Sequence, residues 1–343
     1  MSNRTEISTL GEFGLIRHLT DRIEIKNDST IKGVGDDAAI LSYKDKQVLI
    51  TTDLLLEGIH FDLTYVPLKH LGYKSAVVNF SDIYAMNGLP KQITVSLGIS
   101  KRFSVEDVED FYAGLKLACD VYGVDIVGGD TSASLTGLCI SITCIGEGEK
   151  DKVVLRSGAK ETDLICVSGD LGAAYMGLQL LEREKRVFKG EKDFTPDFTG
   201  KEYLLERQLK PEARKDIVEM LHCAGVIPTA MMDISDGLSS ELLHISKESN
   251  VGCRIYEDRI PIDYQTAAMA EQFNMNLVTA ALNGGEDYEL LFTVPLTDHD
   301  KVSEMKGIKI IGHITKPDLG NYLVGRDGGE VELKAQGWNS LEE

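Results

Sequence analysis

The sequence of 343 residues lacks an apolar run long enough to cross a lipid bilayer, which takes roughly 20 consecutive apolar residues. Its most apolar stretch, Cys223 to Ile234, is interrupted by Pro228 and contains Asp233. The first residues, MSNRTEISTLGEF, lack the apolar core of a signal peptide. These absences predict a cytoplasmic protein that does not bind membranes.

Positive charge is scarce in this chain. Lys and Arg number 36 against 55 Asp and Glu, which gives a formal net charge of −19 at pH 7. Nucleic acids and anionic membrane surfaces attract a positive field, so neither is predicted as a partner. A phosphate ligand would have to be held by local Arg or Lys side chains, by backbone N–H groups or by bound cations.

Several common motifs are also absent. The six cysteines form no C-x-x-C pair and lie among apolar neighbours, which predicts reduced, buried thiols. The chain contains no G-x-x-x-x-G-K-[ST] loop and no H-R-D or D-F-G sequence, so neither common phosphoryl-transfer scaffold applies. Gly33-x-Gly35-x-x-Ala38 resembles a dinucleotide fingerprint, but Asp36 and Asp37 would repel a pyrophosphate there.

Strands and helices are predicted to alternate along the chain. Thr9 and Glu12 form a capping box that predicts a helix over 10–23. The predicted strands are Val48–Thr52, Ile93–Ile99, Leu138–Ile145, Leu164–Ser168, Ala230–Ile234, Cys253–Tyr256 and Tyr288–Val294. The predicted helices are 67–87, Ser104–Tyr122, Ala173–Glu182, Pro211–Ala224 and Leu238–Glu248, and a last helix and strand occupy His299–Ile314.

The order of these elements predicts an α/β fold of the α+β type in two domains. Leu138–Ile145 alternates between apolar and polar residues, which is typical of an antiparallel strand with one wetter side. The polar, Gly-rich stretch 146–151 predicts a boundary between domains 1–148 and 149–343. Residues 186–201 are charged and aperiodic, which predicts a surface excursion.

Carboxylates follow several apolar segments. They are Asp36, Asp37, Asp53, Asp130, Asp233, Asp236, Glu286 and Asp287. A lone acidic residue at such a place is often a turn residue or a helix N-cap, and this alternative applies to Asp36 and Asp236. Asp82 differs because it lies inside a predicted helix among apolar residues, with no Lys or Arg one turn away. Burial of an unpaired carboxylate is unfavourable, so Asp82 is predicted to bind a metal or a ligand.

Converging carboxylates offset their repulsion by binding cations. Mg²⁺ prefers oxygen ligands and readily bridges substrate phosphates, and the Thr51 and Thr52 hydroxyls beside Asp53 could add neutral oxygens. The glycine pairs at 128–129 and 284–285 either let the backbone approach a ligand or form tight turns. The sequence therefore predicts several Mg²⁺ ions with a polyphosphate ligand.

Nine segments in a fixed order point to one family. They are GEFGLI, GVGDDAAIL, TTDLLLEGIHF, VVNFSDIYAMNGLP, DIVGGDTSAS, RSGAKETD, MMDISDGLSSELLHI, GGEDYELLFT and IGHIT. In this order, with matching gaps, they closely resemble the thiamine-monophosphate kinase family, which belongs with aminoimidazole ribonucleotide synthetase and selenophosphate synthetase. The resemblance runs from about Gly11 to Trp338.

This resemblance implies an ATP-dependent, Mg²⁺-dependent phosphorylation of thiamine monophosphate to thiamine diphosphate. It also implies a homodimer in which N-terminal domains pair their mixed sheets. Domain 1–148 would bind ATP and Mg²⁺ and form the dimer, whereas domain 149–343, an α/β sandwich, would complete the nucleotide and substrate site.

The functional positions of the family match residues of this chain. The implied metal ligands are Asp37, Thr51, Thr52, Asp53, Asp82, Asp130, Asp233 and Asp236. The implied ATP contacts are Tyr112, Gly129 and Asp130 in a GGDT turn, Arg156, and Ser235. The implied substrate contacts are His60, Glu286 and Trp338. The acceptor phosphate has its second pKa near ~6, so direct in-line transfer needs no general base and no phospho-enzyme.

Two alternatives remain open: another ATP-dependent enzyme of this superfamily, or a non-catalytic protein that binds nucleotide or divalent cations. Selenophosphate synthetase would need a reactive residue near the N-terminus, and the first cysteine here is Cys119. The hydrogenase maturation relative would need a C-terminal cysteine, and the last ten residues have none. Trp338 is followed by Asn339-Ser340, whereas the family commonly has Asp-His there.

Overall fold

The computed structural model describes Thr5, Leu15 and residues 18–20, 22–32, 40–187 and 198–335. The chain divides into two compact units, one made of residues 1–83 and 88–151, the other of residues 84–87 and 152–343. Most of the predicted helix over 10–23 lies outside the described residues, as does 188–197 of the predicted surface excursion. The functional division between domains 1–148 and 149–343 stays a prediction.

The first unit contains a four-stranded mixed sheet. Its strands are β3 (Gln47–Leu56), β4 (Leu89–Ile99), β5 (Asp125–Ala133) and β6 (Cys139–Gly148), in the order β3-β6-β4-β5. Strand β6 runs antiparallel to both β3 and β4, and β5 runs parallel to β4. Ile140, Ile142 and Cys144 are fully buried while Ser141 and Thr143 are half-buried, so the prediction of an antiparallel strand with a wetter side is confirmed. Two short strands, β1 (Thr30–Lys32) and β2 (Ile40–Leu41), pair separately.

Two helices of the first unit pack closely on one another. They are α1 (Leu68–Ala85) and α2 (Val105–Tyr122). Helix α2 begins with a capping box between Ser104 and Asp107 and ends at Gly123, whose φ of 71° suits glycine. The helices approach so closely that a Cβ at Gly114 would lie 1.7 Å from the carbonyl oxygen of Lys69. Only glycine fits there.

The second unit contains a seven-stranded sheet. Its strands are β7 (Leu164–Ser168), β8 (Ala230–Asp233), β9 (Gly252–Tyr256), β10 (Leu290–Val294), β11 (Ile308–Thr315), β12 (Asn321–Val324) and β13 (Glu330–Glu332). Their order is β13-β12-β9-β11-β7-β10-β8, and every neighbouring pair is antiparallel except the parallel pair β9 and β12. Strands β7 and β10 are buried along their whole length, which places the core of this unit at the sheet.

The second unit has seven described helices of the α type. They are α3 (Ala173–Val187), α4 (Glu202–Leu209), α5 (Lys215–Cys223), α6 (Leu238–Ser249), α7 (Tyr264–Gln272), α8 (Leu277–Asn283) and α9 (His299–Ser303). Helix α6 packs on the sheet through Leu238, Leu242 and Ile245. Helices α3, α4, α7 and α8 form a separate apolar cluster that includes Met176 and Leu204. The mixed α/β fold in two units confirms the predicted fold class.

Some elements differ from the prediction. Strand β5 contains the Gly128-Gly129-Asp130 segment that the sequence analysis placed in a turn, because those residues pair in parallel with β4. Strand β10 begins at Leu290 rather than Tyr288, since Tyr288 has a φ of 51° and cannot continue an extended strand. Helices α4, α7 and α8 and strands β1, β2, β12 and β13 were not predicted from the sequence. None of the described helices is both long and apolar enough to span a membrane.

Candidate functional site

The first unit brings Thr51, Asp53 and Asp82 together. Because side chains alternate along a strand, Thr51 and Asp53 point to the same face of β3 as the buried Leu49 and Leu55. The hydroxyl of Thr51 donates a hydrogen bond of 2.5 Å to Oδ2 of Asp82 on helix α1. Asp82 therefore has a neutral donor where the sequence analysis found no basic residue.

The two carboxylates repel each other electrostatically. Burial, with a smaller contribution from the charge of Asp82, raises the pKa of Asp53 to about 7. Two partly buried carboxylates and a hydroxyl are hard oxygen donors, the chemistry that Mg²⁺ prefers, and a divalent cation would remove their repulsion. This donor set therefore fits the implied metal.

Thr52 does not join this group. It lies on the opposite face of β3, where its hydroxyl donates to the carbonyl oxygen of Ile142 at 3.1 Å and accepts from the hydroxyl of Thr143 at 3.1 Å. The period of two along a strand prevents the side chains of Thr51 and Thr52 from facing the same ligand. The predicted metal role of Thr52 stays a prediction.

Gly129 and Asp130 lie on the edge strand β5. A Cβ at Gly129 would be 1.9 Å from the carbonyl oxygen of Val95, so the absence of a side chain serves the contact with β4. Asp130 is exposed and is paired in register with Ser96. Its exposed carboxylate is open to a ligand, and its predicted role stays a prediction.

His60 and Tyr112 are both partly buried. The ring Nδ1 of His60 accepts a hydrogen bond of 3.0 Å from the backbone N–H of Leu56, at the end of β3. A backbone N–H can only donate, so the neutral imidazole carries its proton on Nε2. Tyr112 on α2 makes an edge contact with Phe111, and burial raises the pKa of its phenol to about 12, which keeps it neutral.

In the second unit, Asp233 is the last residue of strand β8, and Ser235 and Asp236 lie between β8 and helix α6. Asp233 ends β8 and is 4% exposed. The N-cap of helix α6 is Gly237, and no side chain makes a capping hydrogen bond there. The alternative that Asp236 caps this helix is therefore wrong.

Glu241 holds this turn from inside helix α6. Its Oε1 accepts hydrogen bonds from the backbone N–H of Ser235 at 3.2 Å and of Asp236 at 2.8 Å. Glu241 is 1% exposed, and this burial raises its pKa to about 7. The sequence analysis missed Glu241, although its position five residues after Asp236 in a predicted helix was a usable signal.

Arg156 and Glu286 lie near Asp236. Partial burial raises the pKa of Asp236, while electrostatic interactions with His244 and Arg156 oppose that shift and the charge of Glu286 adds to it. The backbone N–H of Glu286 donates to the carbonyl oxygen of Ser235 at 2.7 Å. The second unit thus assembles four of the predicted residues: Arg156, Ser235, Asp236 and Glu286.

A buried charge network adjoins this group. Arg207 on α4 pairs with Glu289 at 2.8 Å, Arg214 also pairs with Glu289, and Asp287 accepts from the N–H of Gly172 at 2.8 Å. Burial raises the pKa of Asp287 to about 7. Asp287 therefore anchors the turn before α3.

Three candidate residues, Asp36, Asp37 and Trp338, lie outside the described residues, so the alternative that Asp36 is a helix cap stays open. Within the described ranges, no three or more His, Cys, Asp or Glu side chains lie close enough together to bind a metal ion. Asp53 and Asp82 are a pair rather than a complete ligand set.

Comparison with known proteins places the chain in a family. Residues 35–147 match the family model "AIR synthase related protein, N-terminal domain". Thiamine-monophosphate kinase of Aquifex aeolicus is 37% identical over 320 residues, which cover 91% of this chain and 97% of that relative. The chain belongs to the thiamine-monophosphate kinase family.

Other members of the family also match this chain over nearly its whole length. Thiamine-monophosphate kinase of Bacillus subtilis is 32% identical and matches 96% of this chain and 99% of its own. The solved structure described as "AaThiL complexed with AMPPCP and TMP" superposes with a TM-score of 0.74 at 36% identity, and covers 98% of this chain and 99% of that one. The family resemblance stated from the sequence is confirmed.

Proposed function

We propose that this chain transfers the γ-phosphoryl group of ATP to the phosphate of thiamine monophosphate and forms thiamine diphosphate. The observation that carries the proposal is membership of the thiamine-monophosphate kinase family over more than nine-tenths of the chain. A solved member binds AMPPCP, an ATP analogue, together with TMP. The six cysteines are free thiols, which suits the reducing cytoplasm that we propose as the location. Four are buried as predicted, but Cys139 is half-buried and Cys223 is exposed, so the prediction of buried thiols is wrong for Cys223.

Asp53, Asp82 and Thr51 together would hold Mg²⁺ in the first unit. Asp130 and, in the second unit, Asp233 and Asp236 are further proposed ligands. Bound Mg²⁺ would neutralise phosphate charge and orient the reacting groups. Mg²⁺ usually takes one or two ligands from protein carboxylates, because waters and substrate phosphates supply the others. A pair of carboxylates is therefore enough for the protein's part of the site.

The chain's own groups would bind and orient the two substrates. Arg156 is proposed to contact an ATP phosphate, because a guanidinium forms paired hydrogen bonds with phosphate oxygens. Glu286 is proposed to contact the cationic thiamine ring system through its carboxylate. His60 would donate from Nε2, since its Nδ1 already accepts from Leu56.

No general base is required in this scheme. The acceptor is a phosphate monoester with a second pKa of about 6, so it is mostly deprotonated at neutral pH. The barrier comes from repulsion between two anions and from their alignment, which positioning and electrostatic stabilisation lower. We therefore propose direct in-line transfer without a phosphorylated enzyme.

The chain is also proposed to form a homodimer through the sheet of the first unit. Val48, Ile50 and Leu54 project from the outer face of the edge strand β3 and are 46%, 69% and 53% exposed. An apolar stripe on an edge strand favours association with another surface. A second copy would bury this stripe.

The test is release of ADP from ATP and Mg²⁺, measured with and without thiamine monophosphate. The proposal predicts release that depends on thiamine monophosphate and saturates with it. ATP binding without turnover would instead identify a nucleotide-binding protein. Turnover with another acceptor alone would identify a different enzyme of the superfamily.

A further inference from the structure

Two adjacent residues of helix α4 contact two adjacent residues of the loop before β10. The side-chain Nε2 of Gln208 donates a hydrogen bond of 2.8 Å to Oε2 of Glu286. Nη2 of Arg207 lies 3.4 Å from the carbonyl oxygen of Asp287, to which it donates. Helix α4 therefore holds both the side chain of Glu286 and the backbone that follows it.

Helix α4 is itself fixed in place. Nη2 of Arg207 donates to the carbonyl oxygen of Asp170 at 3.0 Å, and the phenol of Tyr203 donates to the carboxylate of Asp170 at 2.6 Å. Gln208 is only 5% exposed. The amide that meets Glu286 is thus part of a rigid, buried support rather than a mobile surface group.

The backbone of Glu286 is also restrained. Its φ of 57° lies in the left-handed region, which is uncommon for a residue with a side chain. Its N–H donates to Ser235 at 2.7 Å, which keeps that conformation in place. Unfavourable backbone conformations that the surroundings maintain often occur at binding sites.

Helix α4 presents a cation and a neutral amide to different carboxylates. The cation Arg207 pairs with Glu289 at 2.8 Å and with Asp287 at 3.7 Å. The neutral amide of Gln208 meets Glu286 instead. A neutral donor orients a carboxylate without cancelling its charge, so this hydrogen bond leaves the attraction of Glu286 for a cationic ligand in place.

We propose that Gln208 is a positioning residue that orients the carboxylate of Glu286 toward the cationic ring system of the substrate. This inference rests on the proposed function, in which Glu286 contacts thiamine monophosphate. Gln208 does not touch the substrate; it acts through Glu286.

The first test is steady-state kinetics of Gln208→Met, which keeps the length of the side chain and removes the donor. The KM for thiamine monophosphate should rise about tenfold, the scale of losing one hydrogen bond to a charged group. The KM for ATP should stay within about twofold, because Gln208 has no part in binding ATP. Glu206→Gln, an exposed change on the same helix, is the matched control and should behave as wild type.

The second test is a double-mutant cycle with Glu286→Gln. If Gln208 acts through Glu286, the double variant should bind thiamine monophosphate no more weakly than Glu286→Gln alone. Additive losses, an equal rise in both KM values, or wild-type kinetics in Gln208→Met would overturn the inference. If Gln208→Met fails to fold, Gln208→Asn keeps the amide but withdraws it from Glu286, and the same split in KM is expected.

Failure of this inference can be told apart from failure of the proposed function. If the wild-type chain releases no ADP in response to thiamine monophosphate, the function itself is wrong. If the wild type responds and Gln208→Met is unchanged, only the role of Gln208 is wrong.

Discussion

Thr51 and Asp82 are joined by a hydrogen bond of 2.5 Å that connects strand β3 to helix α1. Thr51 is a neutral donor, so the bond holds the carboxylate of Asp82 in place without removing its charge. Asp53 lies on the same face and has its pKa raised by burial and by Asp82. The structure therefore keeps two like charges together at the place where we propose that a divalent cation binds.

The substitution Asp82→Asn tests this assignment because it preserves shape and removes charge. We expect turnover to fall at least ~100-fold, the scale of losing one strong electrostatic stabiliser. The circular dichroism spectrum should stay as in wild type. Asp110→Asn, an exposed change on α2, is the control, and near-normal activity of Asp82→Asn at saturating Mg²⁺ would contradict the assignment.

The raised pKa of Asp53 predicts how stability depends on pH in metal-free protein. Its pKa is 3.8 when unperturbed and about 7 in the fold, so the folded state binds the proton more tightly. The resulting stability is fully present below about pH 4 and is lost as pH rises through about 7. Asp53→Asn lacks this loss and should be more stable than wild type by on the order of 2 kcal/mol at pH 8.

Urea unfolding of metal-free wild type and Asp53→Asn at pH 5 and pH 8 measures this effect. The advantage of the variant should be larger at pH 8 than at pH 5. Saturating Mg²⁺ should stabilise wild type and have little effect on the variant. A variant that is less stable than wild type at both values of pH would show that Asp53 is a structural residue.

Arg156 is predicted to contact ATP. It is exposed, and its charge acts on Asp236. Arg156→Ala should raise the KM for ATP about tenfold and more than the KM for thiamine monophosphate, because it removes a phosphate contact. Lys160→Ala, also exposed, is the control, and an equal rise in both KM values would count against the role.

The proposed dimer is tested by the substitution Ile50→Lys. A charge on the outer face of β3 would be buried in the interface, which is unfavourable. Light scattering coupled to gel filtration should report a dimer for wild type and a monomer for the variant. Val121→Lys, an exposed apolar position on α2, should leave the dimer intact. A monomeric wild type would refute the proposal.

The sequence was most informative where local rules determine structure. The helix predicted over Ser104–Tyr122 and the alternation of Leu138–Ile145 depend on neighbouring residues, and both are confirmed. Strand β5 escaped prediction because Gly128 and Gly129 suggest a turn, whereas their actual role is close contact with β4. Such a contact depends on residues distant in sequence and has no local signal.

In the candidate site, too, features set by neighbouring residues could be predicted and features set by tertiary contacts could not. Asp82 could be identified from the sequence alone, because a carboxylate among apolar helix residues is unfavourable unless it is paired or bound to a ligand. Two hydrogen bonds of the candidate site depend on tertiary contacts instead. Thr51 and Asp82 are 31 residues apart in sequence, and Gln208 and Glu286 are 78 residues apart. The opposite faces of Thr51 and Thr52 followed from strand alternation and were available from the sequence alone.

The most direct test of the central claim is identification of the product. Wild-type protein, Mg²⁺, thiamine monophosphate and ATP labelled in the γ-phosphate should be analysed by chromatography at several times. We predict label in thiamine diphosphate, with one thiamine diphosphate formed for each ADP and no label on the protein. Release of labelled inorganic phosphate without labelled thiamine diphosphate would contradict the account.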